Sequence, residues 1–233
     1  MKKIEKMTAW EFAVFFLMAI CAGAIIGIGG ASSLLANALL GVEGRILGAT
    51  LFSLGIYAIL VFEMRLFTGM IADIPTLGVK NWWRLAVCFL GNILGVALAA
   101  FLAYNSPIGE KIVEQGATLI QDKLNADNWA FKALCSAMLC GALITISVKS
   151  VQFAPKKGVS ATVGVIFPVI VFAFCGFDHS VANMMYFYYL GECSWRVVGY
   201  VLLSVLGNIL GGVALPCITL VKERALKDKQ KGE

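Results

Sequence analysis

Residues 85–104, LAVCFLGNILGVALAAFLAY, run for twenty residues without a charged side chain. That is the length an α-helix needs to cross the roughly 30 Å hydrocarbon core of a bilayer. Five further runs are comparably apolar: 10–36, 46–62, 130–148, 159–190 and 197–221. Composition agrees, since 60% of the 233 residues are apolar, only 14% are charged, and the mean hydropathy is +0.85. The expected fold class is an all-α membrane protein with six transmembrane helices. The first run is too long for the apolar core of a signal peptide and lacks a small-residue cleavage pattern, so it reads as a retained span.

Charge sets the expected orientation. With six spans both termini lie on one side, together with Lys2, Lys3, Lys6, Lys80, Arg84, Lys149, Lys156, Lys157, Lys222, Arg224, Lys227, Lys229 and Lys231. The opposite side receives Arg45, Lys111, Lys123, Lys132 and Arg196. Basic residues collect on the cytoplasmic face, so both termini are expected there, in a multi-pass protein of the cell inner (plasma) membrane. The net charge of +5 is therefore topological, and no nucleic-acid partner is expected. Six of the seven cysteines lie in apolar segments, where they act as small hydrophobes; with a single histidine and no close cysteine pair, neither a disulfide framework nor a metal site is expected. No cofactor is implied.

The whole chain, 1–233, reads as one transmembrane channel domain. Residues 1–9 form a cytoplasmic N-terminal segment, 107–128 an outer polar segment, and 222–233 a solvated cytoplasmic tail. Within the outer segment Ile108, Ile112, Leu119 and Leu124 fit the apolar face of an amphipathic helix at the outer surface.

FLGNILGVAL (89–98) in the third run recurs as VLGNILGGVAL (205–215) in the sixth. Three spans per half give the halves opposite orientations, so the expected architecture is a three-plus-three inverted repeat with a conduit between the halves. The repeat pairs run two with run five. Run five spans 32 residues, too long for one crossing, and holds CGFDHSVANMM near its middle. Run two is followed by EMRLFTGMIADIP, where Glu63, Arg65, Thr68, Gly69, Asp73 and Pro75 crowd a region expected to be buried. Both helices are thus expected to be interrupted. Such backbone survives at membrane depth only where protein or water satisfies its polar groups, which is how a pore is lined. The recurring glycines read as helix-packing positions.

His179, the only histidine in the chain, sits in the second interruption. An ionisable group inside a span marks function by default. Asp178 is expected to cap the second half of helix five, Asn183 to hold the break by hydrogen bonds, and Thr68 to face them from helix two. Half-helix N-termini and a protonated imidazole attract small anions. The walls expected around them, Phe52, Ile56, Leu66 and Phe172, are apolar. A bare anion crossing such a ring costs on the order of tens of kcal/mol at the Born limit. Protonating an acid of pKa ~4 at neutral pH costs only about 4 kcal/mol. A histidine with an unperturbed pKa of ~6.5 suits the cheaper route: attract the anion, give it a proton, and move the neutral acid.

LFTGM (66–70), the two GN-x-x-G segments and GFDHSVANMM (176–185) together make the chain resemble the formate/nitrite transporter family, which includes hydrosulfide channels, over essentially its whole length. The resemblance implies an aquaporin-like protomer with broken second and fifth helices, assembled as a homopentamer with a pore in each protomer and embedded in the lipid bilayer. It implies a small monovalent anion substrate: formate, nitrite or hydrosulfide. It places the family's central threonine on Thr68, its central histidine on His179, the preceding acid on Asp178 and the following asparagine on Asn183. The constriction falls on Phe52, Ile56, Leu66 and Phe172, with Ile144 from the fourth span, and Lys123 falls in the outer vestibule. Many members carry a fourth-span asparagine within LCN. Here ALCS (133–136) and MLCG (138–141) compete for that place, the second keeping the spacing to His179, and neither holds asparagine.

The resemblance implies no enzymatic activity. An intramembrane serine hydrolase would use Ser32 or Ser33 in GGASSLL, which lacks a G-x-S-G turn. A neutral-solute facilitator of aquaporin type would carry paired Asn-Pro-Ala turns, and the chain has none.

Overall fold

The computed structural model describes residues 7–153 and 160–232. Of the basic residues behind the charge bias, Lys2, Lys3, Lys6, Lys156 and Lys157 fall outside them. The described residues are helical: α1 (Ala9–Leu40), α2 (Gly44–Val61), α3 (Phe67–Met70), α4 (Trp83–Tyr104), α5 (Gly109–Asn125), α6 (Trp129–Phe153), α7 (Ala161–Phe174), α8 (Asn183–Leu190) and α9 (Trp195–Gly232). Thr8 starts α1 with a capping box, its hydroxyl accepting from the Glu11 amide while Glu11 accepts from the Thr8 amide.

Among the described residues five helices are long and apolar enough to cross a membrane: α1, α2, α4, α6 and α9. The long run at 159–190 does not give a sixth unbroken rod. It divides into α7, of 14 residues, and α8, of 8. At 1.5 Å per residue α7 spans only about 21 Å, short of a bilayer. The α9 helix continues through the polar C-terminal residues, whose side chains stay exposed up to 230.

Two helix pairs carry the packing. Helix α1 lies against α4 and α2, while α6 lies against α9 and α7; α2 and α7 then close on each other. The recurring motif explains the tight crossings. A Cβ on Gly95 of α4 would overlap the Ile20 carbonyl of α1, and one on Gly211 of α9 would overlap the Met138 carbonyl of α6. Across the same crossings Gly23 faces the Asn92 backbone and Gly141 faces the Asn208 backbone. Removing side chains lets these backbones touch, which replaces the hydrophobic drive that lipid cannot supply between helices.

The outer polar segment is helical, as its spacing predicts, but α5 is not simply a surface helix. Its face of Ile112, Gly116, Ile120 and Leu124 is buried, and it packs against α8 and α1.

The two breaks share one backbone design. In each, the last helical turns end in a pair of capping bonds: the Glu63 amide donates to the Leu60 carbonyl and Met64 to Ile59, while the Gly176 amide donates to Ala173 and Phe177 to Phe172. The turning residue is left-handed in both, with φ of 51° at Glu63 and 69° at Gly176. Glycine adopts that conformation freely, whereas glutamate is strained there. Glu63→Gly is therefore expected to raise stability by about 1 kcal/mol, seen as a higher melting temperature in detergent; an unchanged or lower value would mean the Glu63 side chain stabilises the break.

The polar crowd after α2 is distributed differently from the expectation of burial. Leu66, Phe67 and Thr68 are buried, but Glu63, Arg65 and Asp73 are exposed, and Asp73 pairs with Lys149 of α6 at 2.8 Å. The chain stays buried through Ile71 and Ala72 and reaches the surface at Asp73.

Candidate functional site

The loops between α2 and α3 and between α7 and α8 meet at the centre of the chain. Thr68 Oγ1 lies 3.1 Å from His179 Nε2, and both residues are 1% exposed. The Ala182 amide donates to His179 Nδ1 at 3.0 Å. A nitrogen that accepts carries no hydrogen, so the neutral ring holds its proton on Nε2 and directs it at the threonine oxygen.

The rest of the interruption is held by polar side chains of other helices. Asp178 Oδ1 accepts from Lys123 Nζ of α5 at 2.6 Å, from Asn183 Nδ2 at 2.9 Å and from the Tyr200 hydroxyl of α9 at 2.9 Å. Lys123 also donates to the Gly176 carbonyl at 2.9 Å. The expectation that Asp178 caps the second half-helix is overturned. Its carboxylate faces α5 and α9, α8 has no side-chain cap from it, and the free amide of that first turn is taken by the histidine ring instead. Asn183 does bridge the break, through that same carboxylate. The backbone amide of Asp178 donates to Ser136 Oγ at 2.9 Å. The ALCS segment therefore supplies the fourth-helix polar partner, and MLCG, favoured by spacing, supplies Gly141 for packing.

Apolar side chains surround the imidazole. Phe172 stacks on it with centroids 5.7 Å apart, and Phe52 stands edgewise to Phe172, also at 5.7 Å. Phe52, Phe172 and His179 bound a cavity of about 70 Å³ that Asn183 and Lys123 also line. It adjoins a wider one of about 330 Å³, with which it shares Ser33, Asn37 and Lys123. Ile56 and Leu66 line a third cavity of about 240 Å³, together with Glu63 and Arg65. Ile144 is fully buried in the core cluster that holds Phe52, Ile56, Leu66 and Phe172.

Residues the sequence reading passed over complete the frame. Asn92 and Asn208, the asparagines of the recurring LGNILG, are wholly buried and hydrogen-bonded to the two breaks. The glycines of that motif signal helix packing; an amide at the same place in two apolar copies is the signal that marks the asparagines. Tyr200 and Ser136 gave no local signal, since each acts through a residue distant in sequence.

Comparison with known proteins agrees with this architecture. The family model described as formate/nitrite transporter matches residues 1–221. The nitrite transporter NirC of Salmonella typhimurium is 28% identical over 235 residues, covering 91% of this chain and 83% of NirC. The formate channel FocA of Escherichia coli K12 is 27% identical over 195 residues, covering 78% of this chain and 67% of FocA. Among solved structures, an FNT family ion channel superposes with a TM-score of 0.73 at 23% identity, covering 91% of this chain and 90% of its own. A pentameric formate channel with formate bound gives 0.69 at 20% identity, covering 94% and 98%. With the match running from the first residue to the end of the apolar part of α9, the chain belongs to the formate/nitrite transporter family.

Proposed function

We propose that this protein is a membrane channel or transporter for small monovalent weak-acid anions, of the formate, nitrite or hydrosulfide class, and that each anion passes the centre together with a proton. One observation carries the reading: a buried threonine–histidine pair joins two broken helices, with His179 lining one cavity and Leu66, two residues from Thr68, lining another. In this reading the ring of Phe52, Phe172, Ile56, Leu66 and Ile144 rejects hydrated ions. Thr68 and His179 receive the anion, Asp178 and Asn183 hold the imidazole's loop, and Lys123 brings positive charge to the outer vestibule. The chain forms one domain over 1–233, with α7 and α8 together as the fifth of six spans in an inverted repeat. Both termini lie in the cytoplasm. The apolar residues left exposed around the protomer, such as Trp10, Leu17, Leu54 and Phe167, fit lipid and neighbouring protomers of a homopentamer like that of the structural relative.

In this reading the proton moves through the two ring nitrogens. An imidazolium carries hydrogen on both nitrogens, so protonating His179 at Nδ1 displaces the Ala182 amide from it. When Nε2 passes its proton to the anion, the neutral ring keeps the hydrogen on Nδ1; taking a proton back at Nε2 and releasing the one on Nδ1 restores the starting tautomer and the Ala182 bond. The uptake of one proton by the ring is thus tied to the first turn before α8.

Uptake of formate, nitrite, hydrosulfide, acetate and lactate into proteoliposomes at several pH values tests the proposal. Flux of the preferred acid is expected to rise as the outer pH falls, because the free acid becomes more abundant and the ring more often protonated. His179→Asn is expected to slow uptake by roughly tenfold or more and to remove the histidine-dependent part of the profile. An unchanged profile in the variant would remove the proton role from His179. A serine hydrolase has less support: Ser32 Oγ is spent on the Ile28 carbonyl of its own helix, and both histidine nitrogens face Ala182 and Thr68.

A further inference from the structure

Asn92 and Asn208 make the same three hydrogen bonds in the two halves of the chain. Asn92 Nδ2 donates to the Arg65 carbonyl at 2.9 Å, and its Oδ1 accepts from the Phe67 amide at 2.8 Å. Asn208 Nδ2 donates to the Asp178 carbonyl at 2.8 Å, and its Oδ1 accepts from the Ser180 amide at 2.9 Å. Each amide nitrogen also donates to the adjacent helix, Asn92 to the Ala19 carbonyl of α1 and Asn208 to the Ala137 carbonyl of α6. Both side chains are completely buried.

The bonds bracket a single residue in each break. Asn92 grips the backbone on either side of Leu66; Asn208 grips it on either side of His179. Counting from the left-handed residues Glu63 and Gly176 gives the same pairing, since Leu66 and His179 are each three positions on. The bracketed residues line different cavities, Leu66 the one lined also by Glu63 and Arg65, His179 the one lined also by Lys123. The structural counterpart of the histidine is thus the leucine of the apolar constriction, and Thr68 pairs with Val181.

We infer that Asn92 and Asn208 are positioning residues that fix one pore-facing side chain each, so that Asn92 governs size selection at Leu66 and Asn208 governs the hydrogen bonding of His179. A bracket of two bonds leaves the intervening residue little freedom to rotate. Only its side chain is then presented to the cavity, while its own backbone flanks are already satisfied, as a break at membrane depth requires. The inference rests on the proposed transport reading for the role of each bracketed side chain, though not for the brackets themselves. The groups around His179 that carry or can carry charge are Asp178 paired with Lys123 of α5, Tyr186 of α8 in the same cavity, and, on the Asp178 side, Tyr200 of α9 and Cys140 of α6. From α2, α3 and α7 the ring meets Phe52, Thr68 and Phe172, none of them charged.

The test compares Asn92→Ala with Asn208→Ala in the full-length protein reconstituted in liposomes. Two measurements are made: formate and lactate uptake across a pH series, and ¹⁵N NMR of protein labelled at histidine. His179 is the only histidine, so the spectrum reports one ring. Asn92→Ala is expected to raise the lactate-to-formate ratio roughly tenfold, the scale of one or two lost hydrogen bonds, with the pH profile and ring shifts unchanged. Asn208→Ala is expected to leave that ratio within about twofold and to move the pH profile and the ring ¹⁵N shifts. If both variants changed all the readouts alike, the asparagines would be general packing residues and the inference would fail. Should the alanine variants not assemble, Asn92→Asp and Asn208→Asp carry the comparison, because they keep shape and acceptor while removing the donor amide. Failure of those to assemble would also overturn the inference. If the unmodified protein moved no weak acid, the transport reading would fall, and the NMR comparison alone would decide whether Asn208 positions the ring.

Discussion

Asp178→Leu is expected to destabilise the protein by about 3–5 kcal/mol and to abolish transport. One carboxylate oxygen accepts from Lys123, Asn183 and Tyr200, three groups delivered by α5, α8 and α9. The side chain of Asp178 is 3% exposed, so deleting it leaves a hydroxyl, an amide and an ammonium without their partner in a site water barely reaches. Lys123 is 22% exposed and recovers part of its hydration, which places the loss toward the lower end of that range. Pairing the change with Lys123→Met supplies the decisive comparison. Removing both charges leaves no orphan ion, so the double variant is expected to be more stable than Asp178→Leu alone. Thermal unfolding of the four proteins in detergent measures this. A double variant less stable than either single one would mean that the ion pair is not the source of the effect. Asp178→Asn is expected to fall between wild type and leucine, because it keeps an acceptor for Tyr200 but turns a donor toward a lysine.

Gly211→Ala is the second large effect, expected at about 3 kcal/mol or more because the added methyl meets backbone and not a movable side chain. Its Cβ would overlap the Met138 carbonyl of α6. The only relief is to part α6 from α9, and Asn208, one turn earlier on α9, spans that crossing through its bond to the Ala137 carbonyl. Moving α9 away therefore loosens the loop that carries His179. The expected result is a lower yield of assembled protein and, in what assembles, slowed transport. Gly69→Ala is the matched control: its Cβ would lie 3.4 Å from the Val148 side chain, an ordinary contact, and the change is expected to alter stability by less than about 1 kcal/mol. Equal losses in the two variants would show that backbone contact at the crossing is not what glycine provides there.

Much of the fold was legible because lipid simplifies the problem. Span length follows from bilayer thickness, and five of the six apolar runs appear as long helices, four ending within about five residues of the expected limits and the sixth running on through the polar tail as α9. The interruption of the long run at 159–190 was visible because polar residues cannot sit in an unbroken lipid-facing helix at no cost. Thr68 and His179, set facing each other by the paired interruptions, lie 3.1 Å apart, and Asn183 hydrogen-bonds to the Asp178 carboxylate. The capping role of Asp178 was misjudged for a definite reason. Local sequence offers a carboxylate the nearest free amides, whereas tertiary packing offered it a lysine, a tyrosine and an amide side chain, and a charge-assisted bond is the stronger.

The sequence by itself determined that this chain lives in a bilayer, where its helices run, that two of them are interrupted, and which family it belongs to, because each of these follows from which residue types hydrocarbon tolerates over a given length. Only the tertiary structure decided which partners satisfy the broken backbone: Ser136 rather than an asparagine on α6, Tyr200 and Lys123 on Asp178, and the twin asparagines of α4 and α9 on the residues flanking Leu66 and His179. Those choices depend on where helices cross, and a crossing is set by backbone contact between segments dozens of residues apart, which no local pattern encodes.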